Sequence, residues 1–185
     1  MKKVYIIHGW GADSKSDWIP WLKKELEDKN FEVLAPDMPD TDEPNIEKWV
    51  SKLKKLLPNP DENCILIGHS IGCQTIMRYL EKLENKIVDK IILVAPWFNL
   101  KGLEDEELPI ADPWINTPIN FENVKRSSNK IIALFSDNDP VVPIEDEKLF
   151  RKNLNAETII FNNKGHFNGE DGITEIPDFL EFLRD

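Results

Sequence analysis

Cysteine is scarce. Cys64 and Cys73 are the only two in 185 residues, and no CxxC pair or Cys/His cluster accompanies them, which excludes a zinc site of the usual spacing. Both read as reduced thiols packed in or near a core. Positive charge is also in deficit, 23 Lys and Arg against 34 Asp and Glu, a formal net charge of -11. A nucleic acid or an anionic membrane needs a basic face, so neither is expected as a partner. No apolar segment is long enough to cross a bilayer. The opening MKKVYIIHGWG has two lysines and an apolar run, as a signal peptide has. That run is only Val4 to Ile7, too short for an h-region, and it ends in His-Gly. The expectation is a cytoplasmic protein without a targeting segment. No repeat, low-complexity tract or linker interrupts the chain. A content of 41% hydrophobic and 31% charged residues suits one soluble domain of this length.

What is present is a rhythm. Short apolar runs at Val4–Ile7, Phe31–Pro36, Cys64–Ile67, Lys90–Pro96, Lys130–Ser136 and Glu157–Phe161 read as strands. Between them lie stretches of helical period. Trp18, Trp21, Leu22 and Leu26 form one, with Ser16 or Asp17 as its cap. Ile46, Trp49, Val50, Leu53, Leu56 and Leu57 form another, stopped by Pro58. Helices are also expected over Ile71–Leu83, over Glu145–Leu154 and from about Pro177 onward. Strands that are continuously apolar, rather than alternating, imply a parallel sheet buried on both faces. The expected architecture is α/β, about six parallel strands in a single domain covering 1–185, with helices on both faces. Right-handed crossovers then line the strands' C-terminal ends along one edge, where ligands bind. Residues 97–128 break the rhythm and contain the acidic run Glu104–Glu107. They read either as a small lid over that edge or as a connecting loop.

At the end of the third strand stands CILIGHSIGC. A G-x-S-x-G between a strand and a helix is a nucleophile elbow: the turn is so tight that the serine holds a strained backbone, usually with positive φ. Gly68 and Gly72 let strand and helix approach around it. The turn lifts the Ser70 hydroxyl above the sheet edge, at a helix N-terminus that favours negative charge. The simpler alternative is a serine that only caps the helix.

A serine needs a base, and the base an orienting group. In this chain order an acid and then a histidine should follow. His8 ends the first strand, and His69 should point away from its neighbour Ser70. His166, in a loop after the last strand, is downstream and on the correct edge. The loop after the fifth strand, SDNDP, offers Asp137 and Asp139. Spacing separates them poorly, and either could make an Asx turn. Asp139, held extended before Pro140, is the preferred orienter, with Asp137 structural. Backbone N–H groups of Ile71 and Trp10 are the expected oxyanion donors.

These pieces resemble the α/β-hydrolases, and more narrowly the small serine hydrolases of the YdeN and retinoblastoma-binding-protein type. The likeness runs nearly end to end, through VYIIHGWGADSKSDWIPWLKKEL, APDMPDTDEPNIEKWVSKL, ILIGHSIG, ILVAP, TPINFENVK, FSDNDPVVP and GHFNGEDGITEIPDFL. GHSIG is widespread among hydrolases. PDMP before the tryptophan helix, together with GHF after the last strand, is more specific. The resemblance implies a compact hydrolase lacking the antiparallel strand pair that opens larger relatives. It also implies a triad of Ser70, Asp139 and His166, which favours Asp139 over Asp137. It implies no particular substrate.

Six tryptophans is a high count for this length. Trp18, Trp21 and Trp49 fall on core stripes. Trp10, Trp97 and Trp114, with Phe98 and Phe167, fall in loops on the catalytic edge and are expected to line an apolar acyl or alcohol pocket, or else to pin the insertion down. The expected activity is hydrolysis of carboxylic esters, or of amides or thioesters by the same groups, with no metal or organic cofactor. A small-molecule ester is the expected partner. The alternative is a peptide- or protein-binding module on the same fold.

Overall fold

Six apolar runs become strands, and the central ones find cover for their side chains on both faces. The computed structural model of the protein describes residues 1–83 and 87–183. The strands are β1 (Lys3–Ile7), β2 (Glu32–Leu34), β3 (Cys64–His69), β4 (Val88–Val94), β5 (Ser128–Ser136) and β6 (Glu157–Phe161). All pair in parallel, in the order β2-β1-β3-β4-β5-β6. Every residue of β3 is buried, as a central strand of a doubly covered sheet requires. The edge strand β6 is only partly buried along its length.

Among the described residues seven helices connect and cover the sheet: α1 (Ile19–Glu27), α2 (Ile46–Leu56), α3 (Ile71–Leu80), α4 (Leu108–Asn116), α5 (Phe121–Arg126), α6 (Asp146–Leu154) and α7 (Phe179–Phe182). In α2 the stripe Trp49, Val50 and Leu53 is buried, and the Asn45 side chain caps the helix by accepting from the Lys48 N–H at 3.1 Å. The helix before β2 is capped by neither Ser16 nor Asp17. Its N-cap position is Trp18, with no side-chain bond and a proline in the first turn. Ser16 Oγ donates to Asp13 instead, and Asp17 serves elsewhere. Helix α3 stops at Leu80, three residues before the end expected from its apolar pattern.

The segment 97–128 holds α4 and α5. Trp114 Nε1–H donates to the Pro44 carbonyl at 2.9 Å, and its ring meets Trp49 edge-on. The buried Arg78 guanidinium donates from α3 to the carbonyls of Trp114 and Thr117, at 2.7 and 2.8 Å. It thereby satisfies carbonyls at the α4 C-terminus that the helix cannot satisfy itself. Burial pulls this arginine's pKa down from its ordinary value.

The strand order sets the position of the functional site. From β1 the chain crosses to β2 on one side, and from β3 to β4 on the other. The loops after β1 and β3 therefore part at the sheet's carboxyl edge and open a crevice between them.

Candidate active site

Ser70 stands where β3 turns into α3. Its backbone is left-handed, φ 51° and ψ −117°, a conformation that costs a non-glycine residue about 1–3 kcal/mol. Its N–H is held by the Val94 carbonyl at the end of β4, at 2.9 Å. The hydroxyl makes no capping bond to α3. It lies 2.9 Å from His166 Nε2, so Ser70 is not used as a helix cap. His166 Nδ1 lies 2.9 Å from Asp139 Oδ2 and 3.1 Å from Oδ1. A carboxylate only accepts, so Nδ1 carries the hydrogen and Nε2 is left free to accept from the serine. Asp139 and His166 are 4% and 9% exposed, which shields their pairing from water.

The two loops that bring these groups together are built from turn residues. Asp139 Oδ1 accepts from the N–H groups of Val141 and Val142, at 2.8 and 2.9 Å. Asp137 does not touch His166. It accepts from the Asn163 N–H at 2.8 Å, while Asn138 accepts from Gly165 and Ser136 Oγ from Lys164. The β5 loop thus grips the turn that carries the histidine. In that turn Asn163, Gly165 and Phe167 all have φ between 53° and 57°. A Cβ on Gly165 would sit 2.1 Å from the Asp171 carboxyl carbon and would have to push that side chain aside. That carboxylate in turn accepts from the His166 N–H at 2.7 Å.

The crevice between the loops is a cavity of about 700 Å³. Ser70, His166, Ile71, Trp10 and Trp97 all border it. Trp10 is anchored by its indole N–H to the Asp42 carbonyl at 2.9 Å. The rest of the expected aromatic rim lies elsewhere. Phe98 stacks on Phe150, centroids 4.1 Å apart and planes at 10°. Trp114 is buried between α2 and Arg78, and Phe167 packs edge-on against Phe161. None of the three borders the cavity. Rings this large gain more from packing into the core than from standing at a wet rim. Aliphatic Leu100, Leu103 and Val141 line the wall instead.

Sequence reasoning missed the acidity of this cavity. Asp17, Asp42, Glu104, Glu107 and Glu170 border it, and no lysine or arginine does. The run Glu104–Glu107 was the available signal, since it lies in the segment that lacks core periodicity. Of the two thiols, Cys73 is fully buried, and burial raises its pKa well above the ordinary value. Among the described residues no group of three His, Cys, Asp or Glu side chains is placed to hold a metal ion. No helix among them is long and apolar enough to cross a membrane.

Residues 4–185 match the model of a family described as "Serine hydrolase". The chain is 32% identical over 183 residues to the hydrolase YdeN of Bacillus subtilis (strain 168), covering 98% of this chain and 94% of that protein. It is 31% identical over 161 residues to the serine hydrolase RBBP9 of Rattus norvegicus, covering 86% and 83%. The crystal structure of the B. subtilis ydeN gene product superposes with a TM-score of 0.90 at 30% identity, covering 99% of this chain and 97% of that one.

Proposed function

The chain belongs to the serine hydrolase family, and on that premise we propose that it cleaves carboxylic esters through Ser70, His166 and Asp139. The observation that carries this reading is the unbroken contact chain from Ser70 Oγ through the His166 ring to the Asp139 carboxylate, opening into a cavity large enough for a small ester.

Ser70 Oγ attacks the ester carbonyl carbon while its proton passes to His166 Nε2. Asp139 holds the imidazolium that forms and keeps the ring in the productive tautomer. The carbonyl oxygen becomes an oxyanion facing the Ile71 and Trp10 N–H groups, each worth about 3–4 kcal/mol in the transition state. His166 then returns the proton to the departing alkoxide, leaving an acyl-serine. A water, deprotonated by the same nitrogen, attacks that acyl group. The carboxylic acid leaves and Ser70 regains its proton. The carboxylates of Asp42, Glu104, Glu107 and Glu170 around the cavity and the lack of a basic residue there disfavour phosphorylated or CoA-linked substrates.

Labelling with a fluorophosphonate, read by intact mass on wild type and Ser70→Ala, tests the nucleophile. One adduct on wild type and none on the variant is the expected result. A panel of matched ester, thioester and amide substrates then tests the leaving group. A folded wild type that neither labels nor turns over any of the three would overturn the proposal.

A further inference from the structure

His69 lies next to the nucleophile in sequence but is turned away from it. Its Nε2 lies 2.8 Å from the His166 carbonyl oxygen. A carbonyl only accepts, so Nε2 carries a hydrogen and donates it. In a neutral imidazole this leaves Nδ1 with a lone pair. Nδ1 is buried and makes no hydrogen bond. What it faces, at 3.5 Å, is Asp17 Oδ2.

Asp17 comes from the loop after β1, 13% exposed and in a left-handed conformation, φ 58°. Its other oxygen, Oδ1, accepts from the Gly169 N–H at 2.7 Å. The two residues therefore grasp the chain at both ends of one short segment: His69 at the His166 carbonyl, Asp17 at the Gly169 amide. This is a second carboxyl–imidazole pair, placed behind the one that faces Ser70, and the two histidine rings are 5.3 Å apart.

A buried carboxylate facing an imidazole lone pair is repulsive unless a proton lies between them. Burial raises the Asp17 pKa from its ordinary value. Burial, followed by the nearby His166, pushes His69 down to about 3. Both shifts favour the proton on the carboxyl. The other titratable groups facing the pair are His166 and Asp139, His8 from the loop after β1, and Glu170 from the loop beyond Gly169.

We propose that Asp17 and His69 are a positioning pair for His166, in which the protonated Asp17 carboxyl donates through Oδ2 to His69 Nδ1 while Oδ1 holds the Gly169 amide. The role rests on the reading of His166 as the general base. The pair touches no reacting atom. It sets the direction of the His166 ring by fixing the main chain that follows its side chain, from the His166 carbonyl to the Gly169 amide.

Two variants separate this from a merely structural role. In Asp17→Asn the amide keeps an oxygen for Gly169 and offers an N–H to His69 Nδ1, so it copies the protonated carboxyl. Asp17→Ala loses both contacts. With p-nitrophenyl acetate, Asp17→Ala is expected to lower kcat by about 10–100-fold with little change in KM, as a displaced base would. Asp17→Asn should stay within about threefold of wild type. As pH rises, wild type should lose kcat when the carboxyl releases its proton, and Asp17→Asn should lack that alkaline limb. Asp17→Asn falling as far as Asp17→Ala, or Asp17→Ala matching wild type, overturns the proposal. Nitrogen-15 spectra of the three imidazoles test the proton without any turnover. His69 should read as the neutral Nε2–H tautomer at neutral pH, and a His69 protonated on both nitrogens there overturns the assignment. Should wild type prove inactive on every substrate, the proposed function fails, and those spectra still decide the state of the pair.

Discussion

Gly72 faces the carbonyl of Ile7 so closely that a Cβ on it would lie 2.3 Å from that oxygen and 2.7 Å from the oxygen of His8. The first turn of α3 is thus pressed against the C-terminal end of β1, backbone to backbone. This contact brings the turn that carries Ser70 and the loop that begins at His8 to opposite sides of one crevice. Gly72→Ala must push the two apart, and neither side is a flexible side chain. The expected cost is about 3 kcal/mol or more, read as a fall in the urea midpoint. An unchanged midpoint would mean that β1 and α3 can separate freely.

The two aspartates of the β5 loop should respond differently. Asp139→Asn keeps an oxygen for Val141 and Val142 but presents the wrong partner to His166 Nδ1. It should lower kcat by about 10³–10⁴ while the melting temperature moves little. Asp137→Ala removes only the bond to the Asn163 N–H. It should cost about 1 kcal/mol of stability and leave kcat within a few-fold. Equal losses of kcat in the two variants would contradict the separate roles.

Charge at the cavity should select among esters. With Asp42, Glu104, Glu107 and Glu170 around it and no basic residue, an ester bearing a carboxylate should show a kcat/KM about tenfold below that of its neutral analogue. The gap should narrow as salt is added, because most of these carboxylates are exposed and are screened over a Debye length of about 10 Å at 0.1 M. A preference for the anionic ester would reverse the reading.

His69 should leave a mark on stability. Its folded pKa is depressed, so between 6.5 and about 3 the unfolded chain takes up a proton that the folded imidazole refuses. Folding stability from this group is therefore complete above pH 6.5 and falls as pH drops through that window, by up to about 1.4 kcal/mol per pH unit. Asp17 works in the opposite direction, because its raised pKa favours the folded state on acidification. The clean comparison is therefore Asp17→Asn against Asp17→Asn with His69→Gln, by urea unfolding across that range. The double variant should show the shallower slope, and identical slopes would place the imidazole in contact with water.

Some of this molecule was legible in its residues and some was not. Each of the six strands was found from its own short apolar run: the central ones are buried on both faces, which needs no information from distant sequence beyond hydrophobicity, and the edge strands β2 and β6 keep enough apolar residues to show the same run. The elbow was equally local: GHSIG at a strand-to-helix junction demands a tight turn wherever the chain goes next. Ser70, Asp139 and His166 could be ordered along the chain because a parallel sheet sends all of its strand ends to one edge. The pocket wall was different. Phe98 and Phe167 sit in loops, and Trp114, expected in a loop, lies on the short helix α4; a segment without a long apolar period does not say which of its faces will meet the core. Trp114 turned inward because the Pro44 carbonyl and the Trp49 ring were waiting on α2 and the loop before it. Asp17 looked like a helix cap because capping is judged from neighbours along the chain. Its partners, His69 and Gly169, lie 52 and 152 residues away in the numbering. Sequence alone determined which groups could do chemistry and at which edge of the sheet. Only the tertiary structure decided which side chains surround them, because that depends on surfaces brought together by crossovers that no local pattern records.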